Sequence, residues 1–147
     1  MLNDLKNTLE KPSMRIYLQI LAVFYGYGAI VHIFNLLGFG ELSWQEMPLS
    51  WKLGDIFYGM IDPFTAVGLF LRKIWGILLL LTAACSQLIL YSGFSQWFTF
   101  TTEQQQTLWS LVIFHLLSLC ILGILFWVLI KKMQKEKLKL EKNIDKK

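Results

Sequence analysis

Charge is scarce in this sequence. Only 16% of its residues are Asp, Glu, Lys or Arg, where a soluble domain carries roughly a quarter. The scarcity is also uneven. Residues 16–40, 74–102 and 104–130 contain no charged side chain at all, and each run exceeds the roughly 20 residues that cross about 30 Å of hydrocarbon. A fourth stretch, 53–71, is broken only by Asp55 and Asp62. A soluble chain of this length has no second layer in which to bury four such helices. An ordinary soluble domain is excluded.

Other shortages exclude chemistries. The two cysteines, Cys85 and Cys120, sit in apolar runs without a CxxC spacing, so neither a disulfide framework nor a thiolate metal site is expected. There are two histidines, His32 and His115, and no HxxxH or ExxH pair to anchor a metal on one helix. Ligation of a haem by both histidines stays geometrically open, although with so few histidines the coincidence is cheap. No glycine-rich phosphate loop, GxSxG elbow or Cys/His nucleophile pair occurs. No loop is long enough for an aqueous catalytic domain, so the reading leans against an enzyme and names no cofactor. The first apolar run follows Arg15 and lacks an A-x-A-like site, so it reads as a retained helix rather than a cleaved signal.

What is present predicts an all-α, polytopic membrane four-helix bundle. Residues 1–13 place Leu2, Leu5 and Leu9 at helical spacing ahead of Pro12, an amphipathic segment expected on the headgroups. The transmembrane domain covers 14–130, with helices over about 14–37, 52–71, 74–94 and 107–130. Gly38 and Gly40 end the first, and Arg72–Lys73 leaves room only for a tight turn between the second and third. Residues 131–147 form a basic tail with eight of the fourteen Lys and Arg. It reads as a solvated segment drawn to anionic headgroups rather than as a nucleic-acid site.

Orientation follows from where the bases lie. The N-terminal segment, the 72–73 turn and the tail hold all of them but Lys52, which puts both termini in the cytoplasm. Trp44, Trp51, Trp97 and Trp109 then fall at the outer boundary, and Trp75 and Trp127 at the inner one, as an aromatic belt requires.

Polar residues inside these runs are the candidate site. Asp55 and Asp62 lie seven apart on one helical face with Gly59 between them. Tyr25, Gly28, His32 and Asn35 share a face of the first helix; Gln87 follows Ser86 on the third; His115 and Ser118 share a stripe of the fourth. His32, Asp55, Asp62, Gln87 and His115 are therefore candidate ligand or proton-handling groups, since acids within a membrane face the interior and mark sites. The bland alternative is interhelical glue, worth about 0.6 kcal/mol per contact. Asp62 precedes Pro63, which removes a helical N–H and is expected to bend the helix. No buried Lys or Arg is available to Asp62, and a histidine serves it only if it lies deeper than helix arithmetic places it.

"YGYGAIVHIF" (25–34) and "IDPFTAVGLFLRKIWGILLLL" (61–81) resemble the DoxX-like small membrane proteins: a glycine then a histidine late in helix one, and a second helix ending in Leu-Phe-Leu-Arg before a short turn. The resemblance implies a multi-pass protein of the bacterial inner membrane, with both ends cytoplasmic and some relatives attached to quinone-linked redox complexes. Three functions follow as expectations. The first is a non-enzymatic scaffold or subunit of a membrane assembly. The second is a binding protein for a lipophilic small molecule such as a quinone, walled by His32, Asp55, Gln87 and His115. The third is a proton-coupled carrier using Asp62, which four helices make feasible only as a homodimer. The lipid bilayer is the one certain partner on this reading, with a membrane protein or a second copy as further candidates.

Overall fold

In the computed structural model, which describes residues 2–40 and 42–144, prolines mark where the first two long helices begin. Pro12 stands in the first turn of α2 (Pro12–Leu36), where a missing N–H costs nothing because that donor has no helical acceptor. Ahead of it lies the short α1 (Leu2–Leu9). Pro48 precedes α3 (Leu49–Phe70) and its carbonyl accepts from the N–H groups of Trp51 and Lys52. Next come α4 (Ile74–Gly93), a 3-10 turn at Ser95–Trp97, and α5 (Thr102–Ile144). Among the described residues all regular structure is helical. Helices α2, α4 and α5 are each long and apolar enough to cross a membrane, and the outward surface agrees: Val23 is 72% exposed, Phe64 62% and Ile124 61%. This is a helical membrane protein.

The helix ends have local causes. Gly38 closes α2 at φ +80°, with the N–H of Phe39 donating back to the Phe34 carbonyl at 2.9 Å, a left-handed closure that glycine adopts without strain. Arg72 does the same for α3 at φ +53°, the Lys73 N–H reaching the Gly68 carbonyl at 2.8 Å. At the start of α5, Gln104 N–H donates to Thr101 Oγ1 while Gln104 Oε1 accepts from the Thr101 N–H, both at 3.2 Å. That reciprocal cap begins the helix ahead of the expected 107. The far end also outruns the expected 130, because the tail is built of Lys, Glu, Leu and Gln, all good helix formers. Pro63 lies inside α3, which continues through it as one helix.

Helix α2 packs most extensively on α3, α3 on α4, and α4 on α5, while α5 closes more lightly on α2. The main apolar core, including Leu9, Met14, Leu18, Leu69, Leu80 and Leu122, fills the end of the molecule near α1. Tyr91, Leu108 and Val112 form a smaller cluster towards the other end. Buried polar residues of α3, α4 and α5 (Tyr58, Asp62, Gln87, His115, Ser118) accompany these clusters. The α3–α4 turn is tight because Gly68 faces Gly76: a Cβ on Gly68 would stand 2.5 Å from the Gly76 Cα. Segment 1–13 was expected to rest on headgroups. In the structure α1 packs on α5, with Thr8 and Leu9 fully buried and Lys137 Nζ donating to Asp4 Oδ1 at 2.7 Å. Met133, buried as well, belongs to the stretch of α5 beyond 130 that makes this contact possible.

A candidate ligand cleft floored by an acid–imidazole–acid array

Seven residues separate Asp55 from Asp62, two helical turns or about 10 Å, so a ring on the facing helix can stand between them. His32 does. Its Nδ1 lies 2.7 Å from Asp55 Oδ1 and its Nε2 lies 3.9 Å from Asp62 Oδ2. Small residues permit the approach of α2 to α3. A Cβ on Gly28 would come within 3.2 Å of Asp62 Oδ2, and one on Gly59 within 3.6 Å of the His32 Cβ. Asn35 Nδ2 donates to the same Asp55 Oδ1 at 3.2 Å. Asp55 Oδ2 receives no hydrogen bond from any described residue, and the buried Asp62 Oδ1 has no partner either. A neutral imidazole donates from one nitrogen only, an imidazolium from both. The ring thus hydrogen-bonds Asp55 and stands beside Asp62 at a distance too long for a hydrogen bond.

Above this array opens a cleft of about 700 Å³ lined by His32, Asn35, Asp55 and Tyr58 and walled by Trp51, Tyr91, Phe98, Leu108 and Leu111. Its rim comes from the connecting segments, with Phe39, Met47 and Thr101, and from Glu103 in the first turn of α5. The volume is that of a small-molecule site. Tyr58 is 1% exposed and its ring lies 5.5 Å from that of His32. Ser86 Oγ donates to the Ala83 carbonyl, so the 3.1 Å contact between Tyr58 and Ser86 has the tyrosine as donor. The indole Nε1 of Trp51 is buried without an acceptor. Among the described residues no Lys or Arg lines the cleft; the base next to Trp51 in sequence, Lys52, sits over the Trp44 ring at 5.1 Å.

Of the five residues singled out from sequence, the structure joins His32, Asp55 and Asp62, the last through a histidine that reaches deeper than helix arithmetic allows. It leaves two apart. Gln87 is buried on α4 with Oε1 unpartnered and does not line the cleft. His115 donates from Nδ1 to the Leu111 carbonyl at 2.6 Å and sets its ring edge-on to Tyr25. Both nitrogens of His32 face carboxylates, which turns the ring away from any ligation shared with His115. Among the described residues no group of three or more His, Cys, Asp and Glu is arranged to hold a metal ion. Sequence reasoning passed over Tyr58, although it lies three residues after Asp55 and four before Asp62 on the same helical face. Tyr91 and Phe98 gave no signal, since aromatics at helix ends read equally as belt residues.

Fold and site together define a helical membrane protein with a cleft over a buried acid–imidazole–acid array. Residues 13–133 match a family of unknown function, DUF6163, and the chain belongs to that family. No curated protein and no solved structure matches it.

Proposed function

We propose that this protein is a four-helix transmembrane bundle that holds a lipophilic small molecule in the cleft above His32 and Asp55. In this reading α3 is the fourth span. Its acids do not oppose that role, because Asp55 and Asp62 are 6% and 3% exposed and turned inward, as membrane acids are. The distribution of Lys and Arg supports both termini in the cytoplasm, so the cleft opens on the outer side of a bacterial inner membrane. The DoxX-like resemblance belongs to the same proposal and supplies architecture rather than ligand.

One observation carries the reading: a cavity of small-molecule size whose floor presents a carboxylate oxygen, Asp55 Oδ2, unused by the protein. Aromatic walls suit an apolar body, and the floor suits a polar head. The test is native mass spectrometry of protein released from lipid nanodiscs. A lipophile bound at one per chain supports the proposal. Release with a stoichiometric membrane-protein partner and an empty cleft supports the scaffold or subunit role instead.

The Asp55–His32–Asp62 array favours a second reading, in which ligand occupancy is coupled to a proton. Below Asp62 the core around Leu18, Leu69 and Leu80 is mainly apolar, with hydroxyls only on residues such as Tyr25, Tyr17 and Thr65, so a through-route requires rearrangement or a second copy of the chain. Proton uptake or release measured on ligand addition in weak buffer tests it; none at any pH between 5 and 8, about the range in which histidine titrates, removes this reading.

A further inference from the structure

The cleft has one sign of charge. Resting on the ligand-site reading above, we infer that its occupant is an organic cation with apolar arms. Charged and titratable groups face this space from four helices. Helix α2 contributes His32, α3 contributes Asp55 and the phenol of Tyr58 with Asp62 beneath them, α5 contributes Glu103 at the rim, and α4 contributes the phenol of Tyr91. The acids outnumber the single base, and that base is shared between two of them. The chain as a whole is basic, with a formal charge of +4, yet no described Lys or Arg lines the cleft.

Three classes of ligand meet this surface differently. An anion would face the carboxylates of Asp55 and Glu103, and the imidazole of His32 is already held between Asp55 and Asp62. A neutral lipophile would fill the aromatic walls, and one bearing a hydroxyl could donate to Asp55 Oδ2, but it would cover the carboxylate without offsetting its charge. A cation offsets that charge, and the aromatic rings of Trp51, Tyr91 and Phe98 favour it further, since their faces attract positive charge. Glu103, exposed at the mouth, draws cations towards the opening.

Shape can be separated from charge with two ions of matched size. The full-length protein in phosphatidylcholine nanodiscs is dialysed against tetraphenylphosphonium, tetraphenylborate and the neutral decylubiquinone, with empty nanodiscs as the reference. We expect saturable binding of the phosphonium above the empty-disc level and none of the borate. Asp55→Asn should weaken phosphonium binding about tenfold or more, as loss of an opposite charge facing a bound cation in a partly buried cleft does. Glu103→Gln, at an exposed rim, should weaken it by less than about fivefold. Equal phosphonium affinity in wild type and a folded Asp55→Asn overturns the inference. If Asp55→Asn does not fold, the ratio of phosphonium to borate binding in wild type decides alone, and a ratio near one overturns it. Saturable binding of decylubiquinone without the phosphonium overturns the cation but keeps the lipophile reading. Saturation by none of the three overturns both.

Discussion

His32 Nδ1 lies 2.7 Å from Asp55 Oδ1 and ties α2 to α3 at the bottom of the cleft. Removing the ring leaves two buried carboxylates, Asp55 and Asp62, without their shared base. His32→Ala should therefore destabilise the protein by about 2 kcal/mol, below the full cost of breaking a buried pair because the ring is partly accessible. His32→Gln, which can still donate to Asp55, should lose about half as much. Unfolding in mixed micelles followed by circular dichroism measures both. An alanine variant as stable as wild type contradicts the pairing.

The close approach of Gly68 and Gly76 yields a sharper expectation. A Cβ at either position meets backbone atoms of the facing helix, which cannot swing aside as a side chain can. Gly68→Ala and Gly76→Ala should each cost about 2 kcal/mol or more, read as a lower melting temperature in detergent. Gly123, with nothing within 4 Å of its added Cβ, is the control. Gly123→Ala should be neutral or stabilising by up to about 1 kcal/mol. Three equal effects would contradict the tight turn.

Much of this architecture was legible in the residues, for physical reasons that also mark where legibility stops. Long charge-free runs announce apolar helices because hydrocarbon admits little else, and α2, α4 and α5 coincide with three of them. Gly38 announced the end of α2 because a left-handed residue favours glycine. Arg72 takes up the same geometry without being glycine, so the turn was inferred there from brevity alone. The reach of His32 to Asp62 was not legible. It depends on how closely α2 and α3 approach, which is set by Gly28 and Gly59 acting together across two helices. The cleft was invisible for the same reason, being made of five separate segments.

Outside the apolar spans, Asp4 gives a pH dependence. The hydrogen bond from Lys137, reinforced by its charge, holds the Asp4 carboxyl below its ordinary range. A depressed carboxyl stabilises the contact when ionised, so the contribution is present at neutral pH and lost as pH falls through the folded value, below about 4. Spin labels at Asn7 and Glu136, which line the groove between α1 and α5, should be close at pH 7 and should gain mobility at pH 3 while staying close, because Leu9 remains buried in the core and an exposed ion pair contributes little. Lys137→Ala should show the pH 3 mobility already at pH 7. Equal mobility in all three samples contradicts the latch.

Topology rests on the positive charges. Alkaline phosphatase fused behind the lysine-rich tail should be inactive, and fused near Glu103 it should be active. Replacing both Arg72 and Lys73 by Glu should impair insertion more than the same change in two of the tail lysines, because six bases remain there. An active tail fusion would reverse the orientation and close the cleft to the outer side.

Gly54 offers a way to close the cleft and so to ask whether it holds a ligand. Gly54 lines the cleft, and a Cβ there meets nothing nearer than Phe98 at 3.7 Å, so Gly54→Phe should fill the space without touching His32 or Asp55. Native mass spectra of wild type and Gly54→Phe, released from the same nanodiscs, are the measurement. A ligand-holding cleft gives a bound small molecule on wild type and its loss from the folded variant. The same adduct on both proteins, or none on either, would contradict it.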